Sequence, residues 1–110
     1  MTARLTAGLL VSALVRRMQA AGGHAMLLAK GDPTAGAILL VLTDRGRTTA
    51  LLERTLGADG YILTPTGPAD PDAPGTLPDY LARRRQRDPD LWVVELEGAE
   101  AAAVAGEVLG

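Results

Sequence analysis

The sequence predicts an α+β domain: a small, mainly antiparallel sheet of four to five strands packed by two helices, in the order α-β-β-β-(β)-α-β-(α). Apolar residues recur at helical spacing near the start of the chain, and short apolar runs separated by turn residues follow. A second helical segment then leads into a β-patterned run. A chain of 110 residues suffices for one core and not for two, so we expect residues 1–110 to form a single domain.

The first predicted element is a helix over residues 4–21. Leu10, Leu14 and Met18 recur at helical spacing, and a glycine pair then supplies a left-handed cap. The apolar arc is wide, which predicts packing on a sheet or against a second subunit. The stretch also resembles a secretory signal peptide superficially, but two arginines directly after the apolar run favour an amphipathic helix. No apolar run approaches the roughly 20 residues that a membrane span needs.

Strands are predicted over residues 24–30, 37–43 and 47–54, with a short fourth strand over residues 61–64. Residues 31–36 form a glycine-bounded turn, which we expect to set the register of a hairpin between the first two strands. Asp44-Arg45-Gly46 is predicted to be a three-residue hairpin loop with its glycine in the left-handed position.

Residues 65–76 are predicted to form a surface loop rich in proline and aspartate. Prolines occupy every third position, so a polyproline II path would align them on one edge for an aromatic groove. A solvated acidic loop is the favoured interpretation, because aspartate and glycine interrupt the prolines and no basic residue flanks them.

The second helix is predicted to begin at Thr76, capped through Asp79, and to end near Arg87, because Asp88 precedes a proline. A last strand follows over residues 91–97. Its alternation places Leu91 and Val93 on one face and Trp92, Val94 and Leu96 on the other. Residues 98–110 are predicted to be an alanine-rich terminal helix or tail.

The composition excludes several chemistries. Without cysteine there is no disulfide framework, thiolate metal site or cysteine nucleophile, and a single histidine is too few for a zinc site or catalytic triad. We therefore expect no cofactor and no metal. The net charge of −2 argues against a whole-domain footprint for nucleic acid. Charge is nevertheless segregated, and blocks of this kind more often pair within a fold than bind a partner.

The arginine cluster at residues 83–87 allows two interpretations. It could neutralise phosphates, with Trp92 or Tyr80 stacking on a base. The favoured interpretation is structural, because arginines in the last turn of a helix complement its dipole and Asp88 and Asp90 follow immediately. Arg84 lies on the apolar face of the helix, so we expect a partly buried pair with Asp88, Asp90 or Glu95.

The candidate ligand-binding residues are the basic groups, the carboxylates beside them and the tryptophan: Arg16, Arg17, Lys30, Arg84, Arg87, Asp88, Asp90 and Trp92. An unrecognised enzyme using Lys30, Asp32, Asp88 or Asp90 is the weakest alternative. No catalytic motif is found, so the sequence favours a protein that is not an enzyme.

Several motifs together resemble a known family. They are Arg16-Arg17, Ala20-Ala21-Gly22-Gly23, Lys30-Gly31-Asp32, Ala35-Gly36-Ala37-Ile38 and Arg87-Asp88-Pro89-Asp90-Leu91-Trp92-Val93-Val94-Glu95. In this order they resemble the bacterial domain-of-unknown-function family 1491, over roughly residues 4–54 and 76–97. The middle loop and the alanine-rich tail depart from the pattern. The resemblance implies a bacterial, cytoplasmic protein and supplies no activity, substrate or cofactor.

The sequence thus predicts a small non-catalytic interaction or self-associating module. Self-association would use the wide apolar arc of the first helix or an open sheet edge. The alternative is a binder of an anionic ligand or nucleic acid through the arginine clusters. The expected partners are a second copy of the chain or another protein, with no membrane.

Overall fold

The computed structural model describes residues 5–110. Three helices and one five-stranded sheet form an α+β fold, which confirms the predicted class and element order. The predicted start of the first helix at residue 4 lies outside the described residues. The elements are α1 (Ala7–Ala20), β1 (His24–Ala29), β2 (Ile38–Asp44), β3 (Arg47–Gly57), β4 (Gly60–Pro65), α2 (Thr76–Arg87), β5 (Trp92–Glu97) and α3 (Ala101–Leu109).

The last strand lies inside the sheet. The strand order is β1-β5-β2-β3-β4, with β5 antiparallel to β1 and parallel to β2. The predicted hairpin between the first two strands is therefore wrong, because β5 lies between them. The connection over residues 30–37 instead passes the start of β5, where Trp92 N donates to Ala37 O. A local turn signal cannot reveal that a strand from much later in the chain separates two sequential strands.

The β2–β3 hairpin has a two-residue turn. Arg45 and Gly46 have φ values of 53° and 80°, and Asp44 pairs with Arg47. Two successive positive φ values define the type I′ turn, whose twist matches the twist of the paired strands. The predicted three-residue loop is one residue too long, although its glycine does lie in the left-handed region.

Helices cover both faces of the sheet. α1 and α3 pack on one face, where Leu14 and Met18 of α1 and Val104 and Leu109 of α3 are buried. The sheet is packed by three helices instead of two, because the alanine-rich segment forms a helix with a buried face. The wide apolar arc of α1 is largely covered within the fold by the sheet and α3.

On the opposite face, α2 packs with Leu77, Tyr80 and Leu81 against a smaller apolar cluster. None of its own residues is fully buried. α2 ends at Arg87, as predicted, but its N-cap is Gly75 at φ 76° without a side-chain cap bond. The predicted cap by Thr76 is wrong, because that residue already lies in the first turn.

The predicted alternation of β5 is confirmed. Leu91 and Val93 lie in the cluster beneath α2, and Trp92, Val94 and Leu96 lie in the cluster beneath α1 and α3. Within residues 5–110, no helix is long and apolar enough to cross a bilayer.

Candidate functional site

The turn before β2 and the corner before β5 are joined by hydrogen bonds. The backbone N of Asp32 donates to Asp90 O at 3.0 Å, and the indole Nε1 of Trp92 donates to Asp32 O at 2.7 Å. The glycines of the turn allow this approach, because a Cβ on Gly31 or Gly36 would collide with Asp90 O. Three of the five motifs that carry the resemblance, those at residues 30–32, 35–38 and 87–95, are therefore one structural unit.

The carboxylates of Asp32 and Asp88 in this unit accept hydrogen bonds from backbone N–H groups. The side chain of Asp32 accepts hydrogen bonds from Thr34 N at 3.2 Å and Ala35 N at 2.8 Å. Asp88 Oδ1 accepts from Asp90 N at 3.1 Å, as in an Asx turn. The expectation that Asp88 and Asp90 neutralise the neighbouring arginines is wrong within the described residues, where neither carboxylate forms an ion pair.

Arg85 holds the end of α2 to this unit. Its Nη1 donates to Leu91 O at 2.8 Å, to Lys30 O at 3.2 Å and to Pro89 O. Arg85 is not among the predicted site residues. The sequence predicts only that arginines in the last turn complement the helix dipole. It does not predict the carbonyl partners of Arg85, because they lie in loops whose positions depend on the fold.

Arg84 forms the expected partly buried ion pair, but with a different partner. Its Nη2 donates to Glu53 Oε2 at 2.9 Å and its Nη1 to Tyr80 Oη at 2.8 Å, while Tyr80 Oη lies 2.9 Å from Thr66 Oγ1. The predicted partners Asp88, Asp90 and Glu95 are therefore wrong. The hydrogen bond to Glu53 raises the pKa of Arg84, partly opposed by burial, so this guanidinium is charged and already bound.

The remaining predicted cations of α1 and α2 point to different places. Arg17 pairs with Glu107 of α3 at 2.6 Å, and that hydrogen bond raises its pKa. Arg87 is exposed at the end of α2. The structure therefore does not bring the eight predicted site residues together.

Three of the predicted residues do meet, at a groove between α1 and β1. This α1–β1 groove has a volume of about 510 Å³ and is lined by Gly8, Val11, Ser12, Val15, Arg16, Leu27, Lys30 and Trp92. Within residues 5–110, Arg16 and Lys30 form no ion pair. Trp92 is only 5% exposed, so it is part of the groove floor and not an open stacking surface.

The edge strand beside the groove is unusually apolar. Met26, Leu27 and Leu28 are 61%, 45% and 41% exposed. Among residues 5–110, β1 pairs with β5 alone, so its other edge is open there, and the pairing shifts register between Leu27 and Ala29. An open apolar edge next to two cations is a surface suited to binding an extended chain.

A larger cavity lies at the other flank of α1. This terminal cavity has a volume of about 820 Å³ and is bounded by the start of α1, residues 34–38, the ends of β3 and β4, and Val108. The guanidinium carbon of Arg54 lies 3.6 Å from the centroid of the Tyr61 ring. Sequence reasoning missed the cavity, because its walls come from four separate segments.

Acidic side chains and His24 do not cluster. Within the part of the chain that the structure describes, no three of these side chains come close enough together to hold a metal ion. In the unit formed by the turn before β2 and the corner before β5, the side chains of Asp32, Arg85 and Asp88 form hydrogen bonds with the protein's own backbone.

The fold and its contacts define the class of protein. It is a small α+β domain in which hydrogen bonds join the loop before β2 to the corner before β5, and in which β1 is an edge strand. The chain belongs to the DUF1491 family, described as a protein of unknown function, whose model matches residues 5–105. The family expected from the sequence motifs is thereby confirmed. Among curated proteins, no relative matches the chain.

Solved structures of similar proteins share the fold. The solution structure of protein Atu0922 from A. tumefaciens is 33% identical, with a TM-score of 0.75 over 93% of this chain and 92% of that one. An NMR structure of a DUF1491 family protein from Caulobacter crescentus CB15 is 31% identical, with a TM-score of 0.76 over 91% of each chain. A crystal structure of a DUF1491 family protein from the same organism is 34% identical, with a TM-score of 0.69 over 86% and 89%.

Proposed function

We propose that this protein is a non-catalytic interaction module that binds an extended, acidic and apolar segment of a partner protein along β1. One observation supports this most: β1 exposes three successive large apolar side chains beside a groove whose two cations form no ion pair within residues 5–110. A segment that adds to an edge strand gains backbone hydrogen bonds, while its side chains occupy adjoining pockets.

The geometry sets the length of the binding edge. The register shift at Leu28 interrupts the regular strand, so the straight part of the edge runs over residues 24–27. Leu27 lines the groove, so a partner side chain on the same face would contact Val11 and Val15 of α1. A short strand of about four residues with one apolar anchor fits this surface.

Charge favours an acidic partner over a second copy of the chain. Antiparallel pairing of two identical β1 edges keeps each face of the sheet on the same side. It would bring the Arg16 and Lys30 groups of both copies to one face and the Glu95 and Glu97 groups to the other. Like charges oppose such pairing, whereas an acidic segment would complement the groove.

Two observations argue against the alternatives of an enzyme and of a nucleic-acid binder. Asp32 and Asp88 are occupied in capping turns, so the weakest alternative, an enzyme, loses two of its carboxylates. Arg17, Arg84 and Arg85 all have partners within the fold, which leaves few cations for nucleic acid. Phosphate binding requires many unpaired cations on one surface.

The test compares three tagged baits in a bacterial lysate: wild type, Leu27→Asp and Ile62→Asp. Ile62 is 53% exposed on β4, the other edge strand, so it is a matched control for an apolar-to-acidic change. We expect wild type and Ile62→Asp to capture the same protein and Leu27→Asp to lose it. The purified partner should then bind Arg16→Glu more weakly, and added salt should weaken its binding to wild type.

Three results would overturn the proposal. One is equal capture by wild type and Leu27→Asp. Another is a wild-type dimer in light scattering that Leu27→Asp dissociates, because this would assign the edge to self-association. The third is captured material that nuclease removes.

A further inference from the structure

We infer that β4 is a dimerisation edge, along which a second copy of this chain adds its own β4 antiparallel about a two-fold axis. The two sheets then form one continuous sheet. Within residues 5–110, β4 pairs with β3 alone, so its other edge is open. β4 lies at the opposite end of the sheet from β1, so this inference does not depend on the proposed interaction surface along β1.

The open edge of β4 is regular. Its six residues, Gly60–Pro65, pair with β3 in an unbroken register. By contrast, the pairing of β1 shifts register between Leu27 and Ala29. Edge strands are commonly protected from further pairing by charged side chains, bulges or proline. In β4 the single such feature is Pro65, at the last position of the strand, so the positions before it can accept another strand.

Apolar side chains are exposed on both faces of this edge. Ile62 is 53% exposed and Tyr61 is 38% exposed. Leu63 packs against the cluster beneath α1 and α3, so Tyr61 shares that face and Ile62 lies on the face of α2. Leu56, which pairs with Tyr61 from β3, is 67% exposed and enlarges the patch. Contiguous exposed apolar side chains of this kind mark an interaction surface.

The composition of β4 favours a second copy of the chain as the occupant. In a two-fold pairing, residues near the axis face the same or neighbouring residues of the other copy, so any charge there would face its own kind. Gly60–Pro65 contains no acidic or basic side chain. Ile62 and Thr64 on one face, and Tyr61 and Leu63 on the other, are β-branched, aromatic or aliphatic residues, whose cross-strand pairs stabilise a sheet.

The nearest acidic residue also allows this arrangement. Asp59 lies in the turn between β3 and β4, and Thr66 and Gly67 follow the other end of β4. Antiparallel pairing places the start of one β4 beside the end of the other. Asp59 of one copy therefore lies near Pro65, Thr66 and Gly67 of the other, none of which carries a charge.

Pairing of β4 with β1 of the next copy is the alternative arrangement of two open edges. Such a head-to-tail contact does not close as a pair, and it gives assemblies that grow with concentration. The irregular register of β1 and the cations Arg16 and Lys30 beside it match the straight, uncharged β4 poorly. The closed two-fold pairing is therefore the one that the edge of β4 fits.

The experiment measures dimerisation by analytical ultracentrifugation over a series of concentrations. The proteins are wild type, Ile62→Asp, Ile62→Lys and Leu27→Asp. Leu27 is 45% exposed on the other edge strand, so Leu27→Asp is the matched control for an apolar-to-acidic change. Circular dichroism shows whether each variant is folded. Ile62→Asp should still capture the partner of β1 from a lysate, so the two proposals can fail separately.

We expect wild type to dimerise with a Kd of about 1–100 μM, because a single pair of short strands buries a small interface. Each Ile62 variant should raise this Kd about tenfold or more, because two like charges then lie close together and two apolar contacts are lost. An equimolar mixture of Ile62→Asp and Ile62→Lys should contain more dimer than either variant alone, because opposite charges attract. Leu27→Asp should dimerise like wild type.

Four results contradict the inference. They are a wild type that remains monomeric up to about 1 mM, a dimer that neither Ile62 variant weakens, species larger than a dimer, and a dimer that Leu27→Asp dissociates. If the Ile62 variants do not fold, isotope-filtered NMR on a mixture of ¹³C-labelled and unlabelled wild type decides. Contacts between copies should then involve the methyl groups of Ile62 and Leu63, and contacts confined to other residues exclude β4 as the interface.

Discussion

The indole Nε1 of Trp92 donates a hydrogen bond to the backbone oxygen of Asp32 at 2.7 Å, across 60 positions of the chain. Trp92 is also held through its backbone N, which donates to Ala37 O at 2.8 Å. One residue thereby fixes both ends of the connection between β1 and β2. The sequence offered Trp92 as a candidate stacking surface. In the structure its two hydrogen bonds hold the loop between β1 and β2 in place.

Replacing Trp92 by phenylalanine should therefore destabilise the protein. The Trp92→Phe variant loses the indole donor and leaves Asp32 O without it, at a cost of about 1–2 kcal/mol. Urea unfolding followed by circular dichroism measures this, because the variant lacks the only tryptophan. As a control, Tyr61→Phe at a 38% exposed ring should change the unfolding free energy by less than about 0.5 kcal/mol. Equal stability of Trp92→Phe and wild type would contradict this account.

Two glycine substitutions should have opposite effects. A Cβ on Gly36 would collide with Asp90 O and lie 2.8 Å from Trp92 Cδ1, so Gly36→Ala should cost about 1–3 kcal/mol. Gly106 lies inside α3 with no atom near its Cβ position, so Gly106→Ala should stabilise the protein by about 0.5–1 kcal/mol. Thermal and urea unfolding of both variants test the pair, and a stabilising Gly36→Ala would show that the two loops do not pack closely.

The two ion pairs of Arg84 and Arg17 should differ in energy. Arg84 and Glu53 have side chains 22% and 21% exposed, so Arg84→Met should cost about 1–3 kcal/mol because Glu53 loses a charged partner. Arg17 and Glu107 are 49% and 53% exposed, and a double-mutant cycle should find no measurable coupling between them. A second double-mutant cycle, of Arg84 with Glu53, should find a measurable coupling, and similar coupling energies in the two cycles would contradict the role of burial.

The pH dependence of the Arg84 coupling follows from the direction of its pKa shift. The pKa of Arg84 is raised in the folded state, so its contribution is fully present below the unfolded-state pKa and is lost only at more alkaline pH. The coupling energy with Glu53 should therefore stay constant between roughly pH 7 and 9. A decline over that interval would show that the pair is not the origin of the coupling.

Sequence reasoning predicted what local patterns determine. The alternation of residues 91–97 fixed which side chains face α2 and which face α1, because a strand has a side-chain period of two. The end of α2 followed from the residue before Pro89, whose backbone is pushed out of the helical region. These features depend on neighbours in the chain, so a single sequence reveals them.

Contacts between residues far apart in the chain could not be predicted from a single sequence. Nothing near residues 31–36 shows that β5 separates β1 from β2, and Glu53 lies 31 positions from Arg84. Acidic residues adjacent in sequence were the natural choice of partner for Arg84. The terminal cavity requires Arg54 and Tyr61 to meet the start of α1, which only the sheet order and the packing of α1 determine.

The position of β5 has a consequence for how the protein is made. β2, β3 and β4 are neighbours both in the chain and in the sheet, so they can pair as soon as they leave the ribosome. β1 emerges before them, yet its only partner is synthesised last among the strands. Throughout most of translation β1 therefore lacks the strand with which it pairs, and unpaired strand edges favour aggregation. The backbone hydrogen bonds of β1 with β5 can therefore form only after nearly the whole chain has been synthesised.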